Sequence, residues 1–305
     1  MPEPRVSVII TSYNQQAYLK EAIESVIHQT TRPHEIIIAD DHSTKDDSVE
    51  MIKRYERQYP AWIRPVFQNE NLGIPKNRNS ALRLVMGDYV AILDGDDRFL
   101  PNNIERQLAA LAQHSEAGCS YSNRYSIGAH GERTGIRDRQ LMPSGDILFQ
   151  VARGRSGILR SMIGRYDLIK AAGFLNERFP AHDGFILTVH LAKLTRFVYI
   201  PEPLVEKRDH PGGDSKTHSS SETASYFEDV ATEVFKVTSH LPPWQRRRIR
   251  KVWSRQILNP RVLAELETGR KWKALLDISV AFARDPGNSR NVRSLIKAVF
   301  SRSIT

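Results

Sequence analysis

Short β-branched runs alternate with helical apolar patterns along the first third of this chain, which restricts its fold more than any other feature. Residues 6–10, 35–39 and 89–93 have the composition of buried strands. Residues 63–67 form a weaker strand, because Pro65 cannot donate a hydrogen bond to a sheet. Strands joined through helices form right-handed crossovers. The sequence therefore predicts an α/β fold with a mostly parallel central sheet sandwiched by helices.

The positive charge of the chain is concentrated at its C-terminal end. The 305 residues carry a formal net charge of +9. Residues 241–305 hold 15 Lys and Arg against 4 Asp and Glu, whereas residues 1–240 hold 29 against 31. The near-neutral larger part argues against a nucleic-acid partner, since such proteins neutralise many phosphates with basic side chains. We expect a main domain over residues 1–218 and a basic helical C-terminal region over residues 219–305.

The single cysteine and the lack of long apolar segments bear on the compartment. Cys119 has no second cysteine with which to form a disulfide, so we interpret it as a small core residue. The sequence shows neither a signal-peptide pattern nor a run of about 18 apolar residues that would span a membrane. These features predict a cytoplasmic protein.

Carboxylates follow two of the predicted strands. Asp40 and Asp41 come after the second strand, and Asp94, Asp96 and Asp97 come after the fourth. The carboxyl ends of parallel strands meet at the edge of the sheet where α/β proteins bind ligands. Five like charges repel each other there, and capping a helix needs only one carboxylate. A hard divalent cation, Mn²⁺ or Mg²⁺, that bridges to phosphate oxygens would balance these charges.

Two common nucleotide-binding motifs are absent from the sequence. There is no Gly-x-x-x-x-Gly-Lys-Ser/Thr loop and no Gly-x-Gly-x-x-Gly after a strand, which argues against a P-loop NTPase and an NAD-binding Rossmann domain. A nucleotidyltransferase shares the sheet and the carboxylates, but it normally has a glycine-rich basic loop after its first strand. Residues 11–16 contain neither Gly nor Lys or Arg.

Four motifs in order resemble the inverting family 2 glycosyltransferases of the GT-A fold. They are residues 7–14 (SVIITSYN), 39–44 (ADDHST), 71–73 (NLG) with Arg78-Asn79, and 93–97 (LDGDD). The similarity is specific over residues 1–100, extends more loosely to about residue 215, and leaves the C-terminal region unexplained. It implies a GT-A-type domain with a nucleotide-binding half over residues 1–100 and an acceptor half over residues 101–218. The helical pattern from Ser225 onward separately predicts a C-terminal helical extension.

The resemblance implies a role for individual residues in binding the donor. Asp41 matches a carboxylate that accepts a hydrogen bond from the imide N–H of uracil or thymine, and the neighbouring His42 stands where the family usually has glycine. Arg78 matches a basic residue near the base and diphosphate, with a surface salt bridge as the alternative. The implied set is Thr11, Tyr13, Asp41, Arg78 and Asp96 for the nucleotide and donor, Asp97 and His210 for the metal, and Asp40, Asp94, Arg165 and His182 as supporting candidates.

The resemblance also implies a general base. In inverting transfer an acceptor hydroxyl attacks the anomeric carbon, and a carboxylate accepts its proton. The family's Glu-Asp motif is matched by His182-Asp183, so Asp183 is the candidate base and helix capping is its alternative role. Arg165 resembles a basic residue of the acceptor region. His210 lies in a loop after the last predicted strand, where it faces either the metal and diphosphate or solvent.

These observations predict an inverting, metal-dependent glycosyltransferase. Its donor would be a nucleoside diphosphate sugar, UDP- or dTDP-linked, and its acceptor a carbohydrate or lipid-linked hydroxyl in bacterial surface polysaccharide or glycolipid synthesis. A nucleotidyltransferase and a non-catalytic sugar-nucleotide-binding protein are the alternatives.

Tryptophans and arginines are interleaved in the C-terminal region. Trp244, Ile249, Val252, Trp253 and Ile257 fall mostly on one helical face, and arginines and lysines flank them. Two interpretations stay open. The helices pack their apolar sides inside the protein with the basic residues in solvent, or they attach the protein peripherally to the anionic inner face of the membrane.

Overall fold

The computed structural model describes residues 4–154, 157–211 and 220–284, together with 292, 293, 295–297 and 299. The chain divides into two compact units, one made of residues 1–151 with 155–213 and the other of residues 152–154 with 214–305. The expected boundary between residues 218 and 219 lies outside the described residues. The limits of the domain and of its two halves therefore stay predictions.

The first unit is built on one mixed sheet. Within the described residues its strands are β1 (Val6–Ser12), β2 (Glu35–Asp40), β3 (Ile63–Phe67), β4 (Tyr89–Asp94), β5 (Arg98–Phe99), β6 (Ala117–Ile127), β7 (Arg133–Ile136), β8 (Met162–Arg165) and β9 (Arg196–Arg208). They lie in the order β3-β2-β1-β4-β8-β6-β9-β5, and β7 pairs with β6.

Helices connect these strands along the chain. They are α1 (Gln16–Ile27), α2 (Ser48–Gln58), α3 (Ile74–Leu82), α4 (Asn103–Gln113), α5 (Leu148–Ala152), α6 (Tyr166–Ala171) and α7 (Asp183–Leu194). A short 3-10 turn at Leu159–Ser161 precedes β8.

The strand and helix alternation predicted for the N-terminal third is confirmed. β1 pairs in parallel with both β2 and β4, and β2 pairs in parallel with β3. The apolar runs of β1 and β2 are buried, as expected for strands covered on both faces. Pro65 lies on β3 at the edge of the sheet, where a missing N–H donor is tolerated. This arrangement brings the ends of β1, β2 and β4 together.

The other half of the sheet is mixed rather than uniformly parallel. β8 runs antiparallel to both β4 and β6, whereas β6 and β9 are parallel. β8 is not joined to β4 by a single helical crossover, because β5, β6 and β7 lie between them in the chain, so nothing requires it to run in the same direction as β4. Cys119 on β6 is buried, in agreement with its interpretation as a core residue.

The described part of the second unit is helical, as its sequence predicts. Its helices within the described residues are α8 (Ser220–Val237), α9 (Pro243–Glu267) and α10 (Lys271–Arg284). Leu258 and Val262 of α9 pack with Ala274 and Ile278 of α10 in a small core of their own. Of the apolar residues expected to share one face of α9, Ile249 and Trp253 are buried, but Trp244 is exposed. None of the described helices is both long and apolar enough to cross a membrane.

Gly95 permits a close approach between the end of β4 and the end of β1. Its N–H donates to the carbonyl oxygen of Thr11 at 2.8 Å. A Cβ at this position would lie 2.7 Å from that oxygen and 2.8 Å from Oε1 of Gln15. The glycine between Asp94 and Asp96 is therefore required by packing, because any side chain would push the two strand ends apart.

We expect Gly95→Ala to lower the free energy of unfolding by about 1–3 kcal/mol, because the added methyl group meets a backbone oxygen that cannot move freely. Urea denaturation measures the change. Gly135→Ala is the matched control, since a Cβ there meets nothing within 4 Å. Equal stability of the two variants would contradict the role assigned to Gly95.

Candidate active site

Three carboxylates meet where β4 ends. Asp94 is the last residue of β4, and Asp96 and Asp97 lie in the turn that leads into β5. One oxygen from each carboxylate lies within 4.8 Å of the other two. Among the residues that the structure describes, no other group of His, Cys, Asp and Glu side chains is close enough to share an ion. We refer to these three residues as the acidic cluster.

Asp94 is neutralised by two arginines. Nη2 of Arg78 donates a short hydrogen bond to one carboxylate oxygen, and Nε of Arg160 lies 2.8 Å from the other. Burial opposes the ionisation of Asp94, but the positive charges of Arg160 and Arg78 outweigh it and lower its pKa to about 2. Asp94 is therefore a fixed negative charge that already has its counter-ions.

Asp97 is in the opposite situation. It is buried, and its Oδ1 accepts a hydrogen bond of 2.8 Å from the N–H of Arg208. Within the described chain it forms no ion pair. Burial and repulsion from Asp94 and Asp96 raise its pKa well above the usual value for an aspartate. Carboxylate oxygens are the ligands that Mg²⁺ and Mn²⁺ prefer, so a bound cation would relieve this repulsion.

His210 lies against the acidic cluster and not in solvent. Its Nε2 is 3.0 Å from Oδ2 of Asp96, and its ring centroid is 4.7 Å from that of Tyr18. The His210 side chain is only 8% exposed. A neutral imidazole is a common metal ligand. Asp96 and Asp97 are thus carboxylates close enough to share a cation, and His210 lies beside Asp96, whereas Asp94 is occupied by its arginines. The role of Asp97 and His210 as metal ligands stays a prediction.

The candidate base Asp183 is tied to the acidic cluster through Arg78. Asp183 is the first residue of α7, and its Oδ2 accepts a hydrogen bond of 2.6 Å from Nη1 of Arg78. Its Oδ1 accepts the N–H of Gly184 at 2.7 Å, which fits a residue of the first helical turn. Burial disfavours the charge of Arg78, but Asp183 and Asp94 raise its pKa above the usual value. The alternative of a surface salt bridge for Arg78 is wrong, because this residue is buried.

His182 precedes Asp183 at the N-terminus of α7. Burial lowers the pKa of His182, although the negative charge of Asp183 acts in the opposite direction. Burial therefore disfavours a positive charge next to the candidate base.

Asp40 and Asp41 use their carboxylates to bind the backbone. Asp40 accepts the N–H of Ser43 at 2.8 Å and its hydroxyl at 2.6 Å, while burial raises the pKa of Asp40. Asp41 accepts the N–H groups of Leu72 and Gly73 at 2.8 and 2.9 Å. The sequence predicts that five carboxylates share one cation. The structure differs, because the carboxylates of Asp40 and Asp41 accept hydrogen bonds from nearby protein groups. The contact of Asp41 with a base stays a prediction.

Thr11 and Tyr13 lie at the end of β1, next to the acidic cluster. Thr11 pairs with Asp94 across the β1–β4 ladder, and the side chain of Tyr13 is exposed. His42 adopts a φ of 66°, the left-handed region that glycine favours. The turn after β2 therefore keeps a conformation that suits the glycine expected at this position.

Arg165 lies away from the acidic cluster. β8 is antiparallel to β4 and pairs Arg165 with Tyr89, the first residue of β4, whereas Asp94 is the last. Arg165 is exposed and forms an ion pair with Asp167. Arg160, five residues earlier, is the arginine that reaches the site, and sequence reasoning missed it. No local signal distinguishes the two, because only the direction and register of β8 decide which arginine faces the cluster.

Residues 7–173 match the family model described as glycosyl transferase family 2. The match spans more than half of the chain and includes Asp40, Arg78 and the acidic cluster. This protein therefore belongs to glycosyl transferase family 2.

Curated relatives share the N-terminal part of this chain. An uncharacterized glycosyltransferase of Methanocaldococcus jannaschii is 36% identical over 43% of this chain and 45% of its own length. TuaG of Bacillus subtilis, a glycosyltransferase provisionally assigned to teichuronic acid biosynthesis, is 38% identical over 42% of this chain and 49% of its own. Chondroitin synthase of Escherichia coli is 33% identical over 42% of this chain and 18% of its own. The match thus spans less than half the length of each relative.

The fold is also found in a solved structure. The crystal structure of Staphylococcus aureus TarS residues 1–349 in complex with UDP-GlcNAc has a TM-score of 0.69 at 17% identity, covering 96% of this chain and 92% of that one. At this level of identity the similarity establishes the GT-A-type fold.

We expect Asp97→Asn to stabilise the metal-free protein. The pKa of Asp97 is raised in the folded state, so the folded protein holds this proton more tightly than the unfolded chain does. The free energy of unfolding of the wild type therefore falls as pH rises from the unfolded-state pKa of about 4 toward the folded-state value. Asparagine keeps an acceptor for the N–H of Arg208 and removes the charge. In urea denaturation without divalent ions, the variant should gain over the wild type at about pH 8 and lose that gain below about pH 4.

Added Mn²⁺ supplies the second half of this test. It should stabilise the wild type and leave Asp97→Asn unchanged. The control is Asp47→Asn, which removes one exposed charge outside the site. A wild type that Mn²⁺ does not stabilise would contradict a cation site at Asp97.

Proposed function

We propose that this protein is an inverting, metal-dependent glycosyltransferase that moves a sugar from a nucleoside diphosphate donor to an acceptor hydroxyl. The observation that carries the proposal is that buried Arg78 forms ion pairs with both Asp94 and Asp183, so the candidate base is close to the acidic cluster. The UDP-GlcNAc bound by TarS supports a uridine diphosphate sugar as donor, with a dTDP-sugar as the alternative.

The nucleotide would lie over the ends of β1 and β2. Thr11, Tyr13 and Asp41 are the residues of this region that would contact it. Asp41 holds the backbone of Leu72 and Gly73, and each of its oxygens keeps a further lone pair for the imide N–H of uracil or thymine. The backbone contacts fix the orientation of the carboxylate before the base arrives.

Asp183 would accept the proton of the acceptor hydroxyl. Its contacts with Arg78 and Gly184 fix the plane of the carboxylate, and an oriented base needs little reorganisation as the proton moves. A divalent cation held by Asp96, Asp97 and His210 would stabilise negative charge on the departing diphosphate. The acceptor would be a carbohydrate or lipid-linked hydroxyl of a bacterial surface glycan, as the polysaccharide-synthesising relatives suggest.

Asp183→Asn tests the assignment of the base. The amide keeps the size of the side chain and the hydrogen bond from Gly184 but has little affinity for a proton. We expect turnover to fall by about 10² or more, with little change in the affinity for UDP. Transfer or donor hydrolysis from a panel of nucleotide sugars measures the rate, and calorimetry with UDP and Mn²⁺ measures the affinity.

The matched control for this test is Asp167→Asn. Asp167 is also an aspartate of a first helical turn with an arginine partner, but it is exposed and lies beside Arg165. A base role for Asp183 predicts a large difference in turnover between the two variants. If Asp183→Asn retains most of its activity, another group accepts the proton and this assignment is wrong.

An exposed apolar face of α10 supports the proposal that the second unit attaches to the inner face of a membrane. α10 buries Ala274 and Ile278, yet Trp272, Leu276 and Val280 are 85%, 62% and 40% exposed. The exposed residues recur every four positions and so share a face opposite to the buried one. An anionic lipid surface fits this face, because residues 241–305 carry 15 basic against 4 acidic residues. Each basic residue near such a surface contributes about 1 kcal/mol.

Trp272→Ser tests this attachment. We expect the wild type to co-sediment with vesicles that contain phosphatidylglycerol, and the variant to lose most of that binding because the indole no longer enters the headgroup region. Vesicles of phosphatidylcholine alone should bind neither protein. Leu141→Ser, which removes an exposed apolar side chain from the first unit, is the control. If the wild type binds equally well to vesicles with and without phosphatidylglycerol, or if Trp272→Ser binds as the wild type does, the proposed attachment of this face of α10 to an anionic membrane is wrong.

A further inference from the structure

Three basic side chains lie beyond the acidic cluster, on the side away from β1 and β2. They are Arg124 on β6, Arg160 in the turn before β8, and Lys207 on β9. In the strand order, β1 and β2 lie on one side of β4, whereas β8, β6 and β9 lie on the other. These cations are thus on the opposite side of Asp94 from the region proposed for the nucleotide.

Arg124 is buried, and no carboxylate of the residues that the structure describes pairs with it. Only 4% of it is exposed, and its Nη1 donates to the carbonyl oxygen of Gly157 at 2.8 Å. A Cβ on Gly157 would lie 2.5 Å from Nη2 of Arg124, so the guanidinium rests directly on a glycine backbone. Burial and repulsion from Arg137 and Arg160 lower the pKa of Arg124 to about 10. A buried cation held by one carbonyl oxygen is costly unless an anion joins it.

Lys207 shares a face of the sheet with Arg124. β6 and β9 pair Arg124 with Val205 and Ser126 with Lys207, so the two basic residues are diagonal neighbours on one face of the sheet. Among the described residues, Lys207 has no hydrogen bond or ion pair through its ammonium group. Burial and repulsion from Arg160 lower its pKa. The strand pairing therefore places a second, unneutralised cation next to the first.

The neighbouring carboxylates do not neutralise these charges. Asp94 is shared between Arg78 and Arg160, and Asp97 accepts the N–H of Arg208. Asp97 and then Asp138 favour the charge of Arg124 without contacting it, but less strongly than the burial and the arginines that oppose its charge. Asp97 and Asp94 favour the charge of Lys207 in the same way, again less strongly than burial opposes it. Among the described residues, Arg124 and Lys207 therefore have no carboxylate in direct contact.

We propose that Arg124, Arg160 and Lys207 form a subsite that binds a phosphate group of the acceptor. This inference rests on the proposed function and adds the chemical class of the acceptor, a phosphate-bearing molecule whose reacting hydroxyl lies near Asp183. Two guanidinium groups and an ammonium group suit the charge and the several acceptor oxygens of a phosphate. Phosphate could also belong to the donor diphosphate, and the experiment separates the two sources.

The experiment measures anion binding to protein that is already saturated with UDP and Mn²⁺. Calorimetry with sn-glycerol 1-phosphate should detect binding, and the same titration with glycerol should give none. We expect Lys207→Gln to weaken the binding of glycerol phosphate by about tenfold or more, because one charge-assisted contact is lost, while the affinity for UDP changes less than about twofold. The ammonium group of Lys207 has no hydrogen-bond or ion-pair partner in the described part of the chain, so this variant should fold normally.

Lys193→Gln is the control. It removes the same charge from an exposed position near the C-terminal end of α7, about ten residues along the helix from Asp183. This variant should bind glycerol phosphate as the wild type does.

Three outcomes overturn the subsite. If UDP-saturated wild-type protein does not bind glycerol phosphate, no second anion site exists. If Lys207→Gln lowers the affinity for UDP as much as the affinity for glycerol phosphate, these cations bind the donor diphosphate. If Lys193→Gln has the same effect as Lys207→Gln, the binding reflects net charge alone. A protein that binds no nucleoside diphosphate at all would overturn the proposed function itself, and the subsite with it.

Discussion

Arg78 is buried between two carboxylates that come from distant parts of the chain. Asp94 ends a strand of the parallel half of the sheet, and Asp183 begins a helix almost ninety residues later. A buried arginine is tolerable only when its charge is matched, and each carboxylate likewise needs the arginine. This mutual requirement holds α3, β4 and α7 in one arrangement. The candidate base and the candidate cation site therefore cannot move independently.

Three neighbouring aspartates acquire different properties from the groups around them. Asp94 has Arg78 and Arg160 as counter-ions and stays ionised. Asp96 has His210, and Asp97 has one backbone N–H. The repulsion within the cluster therefore falls mainly on Asp97, where it disfavours the charged form. The unfavourable charge of Asp97 lowers the stability of the folded protein, and a bound cation would restore that stability. Such unfavourable charges are common at functional sites.

The two faces of β9 have different roles: one face forms ion pairs within the fold, and the other carries Lys207. Glu206 forms ion pairs with Arg98 and Arg133 on one face, and Arg208 bonds to Glu21 on that same side. Lys207 lies between them in the sequence and points to the other face, where Arg124 also lies. Because successive side chains of a strand alternate, one strand can both close a structural ion-pair network and supply a cation to the site.

The sequence by itself determined the parallel half of the fold. Apolar runs in β1, β2 and β4 and the helices between them require a doubly covered sheet, and Pro65 is compatible only with an edge strand. The order of strands and helices also placed Asp94, Asp96 and Asp97 at a strand end, since a parallel sheet has one edge for all such ends. The helical second unit followed from its periodicity.

Only the tertiary structure decided which charges meet. The direction of β8 brings Arg160 to Asp94 and carries Arg165 to the far end of the same strand. The register of β6 against β9 places Arg124 beside Lys207, and a shift of one residue would turn either side chain to the opposite face. Local patterns fix whether a segment is a strand, but pairing partner, direction and register depend on contacts between residues far apart in the chain. The sequence could therefore indicate an acidic site, while its arginines and lysine were decided by packing.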